Sequence, residues 1–128
     1  VNGTENVLSR NVAADNGDDG FDLDGERNRL TRNEAHKNGA IGEPGNRNGF
    51  HVSNDFNALT GNVATENAEF GFVIDDGIFG SSITNRNISE LNGSTDMHDL
   101  NAECSSNRWR QNIFGTSDPA CIDCRVVD

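Results

Sequence analysis

The chain has 128 residues, 33% of them apolar, and a formal net charge of −11 from 21 acidic against ten basic side chains. Fourteen glycines bring its core-forming share near that of an ordinary globular domain, so the length fits one domain or part of one. Such acidity argues against nucleic acid, which needs a basic stripe, and no run approaches the ~20 apolar residues of a membrane span.

Only one basic residue is a lysine, Lys37, a bias that fits a salty or extracellular habitat. The expected location is extracellular or cell-surface; the chain begins at Val1 without an initiator Met and reads as mature, processed or trimmed, so the absence of a signal peptide says nothing against secretion.

Val1 to Glu5 lead in without a signature. From Asn6 a five-residue beat begins: Asn6, Asn11 and Asn16, followed by the strand-like alternation Gly20-Phe21-Asp22-Leu23-Asp24. The frame returns as Asn28, Asn33 and Asn38 with Gly49-Phe50-His51-Val52-Ser53. It returns again as Asn57, Asn62 and Asn67 with Gly71-Phe72-Val73-Ile74-Asp75. A looser copy keeps Asn87 and Asn92 before Asp96-Met97-His98, and a partial one keeps Asn107 and Asn112. Successive copies lie 22, 29, 25 and 25 residues apart, as Asn11, Asn33, Asn62, Asn87 and Asn112 show. The second is lengthened by residues 40–47, a turn-rich insertion that reads as an external loop.

Three short strands per repeat of 20-odd residues describe a solenoid of parallel strands. Helical alternatives fail because no segment sustains a 3.6-residue stripe and Gly and Asn recur throughout. Alternation places Leu8, Ala13, Phe21 and Leu23 inward, matched by Leu30, Ala35, Phe50 and Val52, then by Leu59, Ala64, Phe72 and Ile74. The fourth copy supplies Thr84, Ser89 and Met97, and the fifth Trp109 and Phe114, two rings placed to plug the C-terminal end. The asparagines suit tight bends, since Asn tolerates the left-handed region, bonds its own backbone and can stack into ladders. Of the sequons at Asn2, Asn87 and Asn92, only Asn2 is then expected to be accessible.

Cys104, Cys121 and Cys124 cluster near the end. Two form a disulfide, with Cys104–Cys121 the favoured pair, leaving Cys124 as a free thiol or a link to another chain. The expected division is a body of coils over residues 1–106 and a last partial coil with its cap over residues 107–128.

The repeat Asn-x-Leu-x-x-Asn-x-Ala-x-x-Asn before Gly-Phe-x-Leu resembles the coil of right-handed parallel β-helix proteins of the pectin-lyase-like superfamily. It is closest to their NosD-like, carbohydrate-binding and sugar-hydrolase members. The tail, from Asp99 and Asn101 through Cys104, Asn107, Trp109, Asn112 and Phe114 to Cys121-Ile122, resembles a frequent ending of those proteins. The resemblance implies an all-β right-handed helix of about five coils. It also implies that the sheet following Gly-Phe is a glycan-binding face. On that face the outward residues are Asp22 and Asp24, then His51 and Ser53, then Val73 and Asp75, with His98 above. The glycan-binding candidates are accordingly Asp22, Asp24, His51, Asp75 and His98.

Catalysis finds weaker support. An Asp22–Asp24 pair falls within the ~6.5–9.5 Å window of inverting glycosidases, as any alternating pair on a strand does. Hydrolase motifs of the superfamily are missing, a lyase would lack a basic residue in these columns, and Asp96-Met97-His98-Asp99 resembles an epimerase motif with Met97 in place of Pro. The crowded Asp18, Asp19, Asp22 and Asp24 form a candidate Ca²⁺ site or, more simply, a solvated acidic face. The leading expectation is a secreted module that binds a polysaccharide or cell-surface glycan, or serves as a surface-structural element. A lyase, epimerase or hydrolase acting on an acidic polysaccharide comes second. A subunit that stacks end to end through an uncovered first coil comes third, because nothing before Val7 reads as a cap.

Overall fold

The computed structural model describes residues 1–39, 46–104 and 106–122. The first coil contains β1 (Val7–Ser9), β2 (Val12–Ala14) and β3 (Phe21–Leu23). The second contains β4 (Arg29–Thr31), β5 (Glu34–His36) and β6 (Phe50–Val52), and the third β7 (Ala58–Thr60), β8 (Val63–Thr65) and β9 (Phe72–Ile74). The fourth contains β10 (Ser82–Thr84), β11 (Ile88–Glu90) and β12 (Met97–Asp99). The stack ends with β13 (Arg108–Arg110), β14 (Ile113–Phe114) and β15 (Ser117–Asp118). Every strand pairs in parallel with its counterpart one coil away, which makes three five-stranded sheets and a solenoid of about four turns. The insertion lies largely outside the described residues, as does Cys124.

Short strands can stack this way because each coil repeats the same inward chemistry. Leu8, Leu30, Leu59, Ile83 and Trp109 form one column, and Ala13, Ala35, Ala64, Ser89 and Phe114 a second. Phe21, Phe50 and Phe72 stack face over face, with centroids 4.9 and 4.7 Å apart, beneath Met97. Burying a Leu or Phe side chain contributes roughly 1.5–3 kcal/mol, and these columns bury nearly all of theirs. Gly49 shows why glycine precedes the Phe column. A Cβ there would lie 2.6 Å from the Gly71 carbonyl oxygen and 2.9 Å from Ala64 Cβ.

The inward residue of the fourth coil is Ile83, not Thr84: Ile83 pairs with Leu59 and is buried, while Thr84 faces outward beside Thr60. The cause is a bend longer by one residue. Other coils turn from the first to the second sheet on a single left-handed residue, such as Arg10, Arg32 or Gln111, whereas here Asn85 and Arg86 both have positive φ.

The asparagines form ladders, as expected, but they do not occupy the left-handed position. The residue immediately before each except Asn107 does, including Arg27, Arg32, Lys37, Phe56 and Glu66 at φ of 55–58°. Asn can instead use its whole side chain between coils. Asn62 Oδ1 accepts from the Asn33 backbone N–H at 2.8 Å, and Asn62 Nδ2 donates to the Leu30 carbonyl at 2.9 Å. The same connections run through Asn11, Asn33, Asn62, Asn87 and Asn112, and through Asn16, Asn38, Asn67 and Asn92. A third ladder holds Asn6, Asn28 and Asn57, continues through Ser81 and ends on Asn107. Each tight bend thereby satisfies backbone groups that would otherwise be buried without partners. Asn87 is fully buried and Asn92 partly so, while Asn2 is exposed.

Both ends are built differently from the middle. At the C-terminal end the Cys104–Cys121 disulfide forms, with its Cα atoms 6.1 Å apart, and Trp109 covers the Leu column. At the N-terminal end Val1 to Glu5 cover one bend: Gly25 N–H donates to the Val1 carbonyl and Glu5 N–H to that of Glu26. Beneath β1 and β2 no strand pairs among the described residues, and Leu8 and Ala13 stay partly exposed.

Candidate functional site

The outward positions of the third sheet stack as the alternation requires: Asp22 beside His51, His51 beside Val73, and Val73 beside His98. Parallel pairing brings these residues within one strand spacing, ~4.8 Å per coil. His51 is the centre of this arrangement. Its Nδ1 lies 3.1 Å from both Asp19 Oδ2 and Asp22 Oδ1, and its Nε2 lies 2.9 Å from Asp75 Oδ1. The His51 side chain is only 10% exposed. Burial disfavours its charge, but hydrogen bonds to Asp19 and Asp75, reinforced by the charges of both, outweigh that penalty and push its pKa up to about 9. At neutral pH the ring is an imidazolium holding three carboxylates.

The three acids are not equivalent. Asp19 has a buried side chain, and its Oδ1 accepts from the Asn48 backbone N–H at 2.7 Å. Asp22 Oδ1 competes with Asp19 for the same N–H, which cannot point at both, and it is left without a hydrogen bond. Burial raises the Asp22 pKa, and the charges of Asp24 and Asp19 add to that effect while His51 opposes it. Asp24 turns to a different partner, accepting from Ser53 Oγ at 2.9 Å. Asp22 and Asp24 therefore share a strand but not an environment.

His98 sits apart from the cluster, stacked on Phe70 with centroids 4.7 Å apart and planes 20° from parallel. Its Nδ1 is 3.7 Å from Asp118 Oδ2, beyond hydrogen-bond reach. Its neighbours Asp96 and Asp99 are structural. Asp96 takes the place of an asparagine at the end of one ladder, accepting from Asn92 and from the backbone N–H groups of Gly115 and Thr116. Asp99 accepts from Asn101 and from Trp109 Nε1 at 2.7 Å. The epimerase-like quartet is thus an architectural joint with both carboxylates committed to the core.

Of the four acids grouped as a metal candidate, Asp19 and Asp22 come together with His51, while Asp18 and Asp24 are not part of that cluster. Calcium takes six to eight oxygen ligands. The cluster offers two carboxylates and an imidazole that already carries a compensating proton, a poor match. Sequence reasoning placed Asp19 only in that metal group and missed its bond to His51. It missed Phe70 altogether. Asp19 lies in a turn between Gly17 and Gly20, where no strand register indicates direction, and only its proximity to the Gly-Phe segment hinted at a role.

Beyond these polar groups the third-sheet face is partly accessible, with Asp22 and Asp75 half-buried and Asp24 exposed. Comparison with protein-family models, with curated proteins and with solved structures finds no match to this chain.

Proposed function

We propose that this chain is a glycan-binding β-solenoid module, of the pectin-lyase-like kind its repeats resemble, acting outside the cell on the face of its third sheet. The observation that carries the reading is the cluster in which one buried imidazolium bonds Asp19 and Asp75 and draws Asp22 to it by charge. Carboxylates held in this way are preorganised acceptors for sugar hydroxyls, so little ordering entropy is lost on binding. The nearby Phe70–His98 ring stack adds flat, partly apolar surface.

The same geometry disfavours catalysis. Both nitrogens of His51 are engaged, which leaves the ring neither a free base nor a free acid, and Asp24 is bonded to Ser53 while Asp22 lies against His51. Excess negative charge on this face favours neutral or amino sugars over acidic ones. The test is a panel of neutral, amino and acidic oligosaccharides, assayed for binding and turnover with the wild type and with Asp22→Asn/Asp75→Asn. Binding without turnover, weakened by the double substitution, supports the reading. Turnover abolished by it supports an enzyme, and silence across the panel removes both.

End-to-end stacking is favoured by a separate observation. The outer edges of β1 and β2 pair with no strand among the described residues, and Leu8 and Ala13 beside them stay partly exposed. Open edges of this kind are what another strand layer would satisfy. A sedimentation profile that remains monomeric at high concentration would eliminate it.

A further inference from the structure

The positive charge of this acidic chain is gathered on one side. The first sheet faces outward with Val7 and Ser9, Arg29 and Thr31, Ala58 and Thr60, Ser82 and Thr84, and Arg108 and Arg110. The bend that leaves this sheet adds Arg10, Arg32 and Arg86. Neither the outward positions nor the bend contains Asp or Glu. This strip holds six of the ten basic residues, +6 against a total of −11, so the remainder of the chain carries −17.

At the upper end of the strip a cleft of about 290 Å³ opens between Ser82, Thr84, Asn85, Arg108, Arg110 and Gln111. Arg108 and Arg110 alternate on one strand, so their Cα atoms stand ~6.7 Å apart on the same side. Neither has a carboxylate within 4 Å among the described residues, where the single arginine ion pair is Arg27–Glu26. Trp109, pointing inward between them, is anchored through Asp99 and locks the strand that carries both arginines.

We propose that the first-sheet face is a second binding surface, for a linear anionic glycan bearing carboxylate or sulfate groups, with the Arg108–Arg110 cleft as the subsite for one acidic sugar. Guanidinium groups bind carboxylate and sulfate through paired, charge-assisted hydrogen bonds. The Ser and Thr hydroxyls along the strip and the amides of Asn85 and Gln111 match a polyhydroxylated chain. A protein partner fits less well, because interface cores are rich in aromatic and apolar groups and this face offers only Val7 and Ala58. The acidic third sheet repels the ligands that the first sheet attracts, so the two faces select glycans of different charge.

The experiment titrates polygalacturonate, a sulfated dextran, neutral dextran and a single-stranded polynucleotide into the wild type, Arg108→Gln/Arg110→Gln and Asp22→Asn/Asp75→Asn, each at low and high salt. The expected result is salt-sensitive binding of at least one polyanion, roughly tenfold or more weaker in the arginine variant and undiminished in the aspartate variant. Both arginines are exposed, so the variant should retain the wild-type circular dichroism spectrum, and that control separates lost binding from lost folding. Absence of polyanion binding, or equal binding by the arginine variant, overturns the proposal. So does tighter binding of a single-stranded polynucleotide, or low-salt self-association that vanishes with the arginines while no glycan binds. Failure of the third-sheet reading would show separately, in the neutral and amino sugars of its own panel.

Discussion

Replacing His51 by Gln removes the one cation that holds the third-sheet carboxylates and leaves a side chain of similar reach. Folding raises the His51 pKa from 6.5 to about 9, and at 1.36 kcal/mol per unit that shift corresponds to ~3 kcal/mol. Asp22 and Asp75 are 43% and 38% exposed, so solvent screening reduces the contribution to about 2 kcal/mol. The sign follows from the direction of the shift. A base whose pKa is raised by folding contributes fully below its unfolded value of 6.5 and loses that contribution as pH climbs through about 9. Urea unfolding followed by the fluorescence of Trp109, the sole tryptophan, should show His51→Gln less stable than wild type by about 2 kcal/mol at pH 6 and nearly equal to it at pH 10. Comparing the two proteins cancels the other groups that titrate in that range. A constant difference across pH, or an NMR titration of His51 with a midpoint at or below 6.5, would refute the reasoning.

Three further substitutions probe the stack. Asn62→Ala strands the Asn33 N–H and the Leu30 carbonyl, both buried, and should cost about 2–5 kcal/mol by urea unfolding, whereas an exposed asparagine such as Asn2 should be replaceable without measurable loss. Gly49→Ala drives a methyl group against the Gly71 backbone and should destabilise by about 1–3 kcal/mol, with amide exchange accelerated in β6 and β9 before the rest. Trp109→Phe keeps an aromatic ring but removes the donor to buried Asp99, and should cost about 1–3 kcal/mol by urea unfolding followed by circular dichroism.

Much of this architecture is legible in the sequence because a solenoid writes its contacts at a fixed period. Leu30 above Leu8 and Phe50 above Phe21 are aligned in three dimensions because they are aligned in the repeat. The reading slips where the period slips. Thr84 takes the inward place on paper, yet the second left-handed residue at Asn85–Arg86 moves Ile83 inward instead. The asparagine ladders are legible, but which residue adopts the left-handed conformation is not, since nearly any side chain is accepted there once Asn secures the neighbouring bonds. The outward column Asp22, His51 and Val73 follows from register alone. The partner that buries His51 does not, because Asp19 approaches from a loop. The clustering of arginines on the first sheet was also present in the repeat, beside the inward residue at Arg29, Arg108 and Arg110 and in the following bend at Arg10, Arg32 and Arg86. It becomes a feature only when five strands are laid side by side.

The claim that the third sheet is the glycan face is tested most directly by backbone amide chemical shifts during titration with neutral and amino oligosaccharides that bind. Perturbations are predicted to concentrate on Asp22, Asp24, His51, Ser53, Asp75 and His98, leaving the second sheet unmoved. Perturbations confined to the second sheet, or none with any sugar tried, would contradict it.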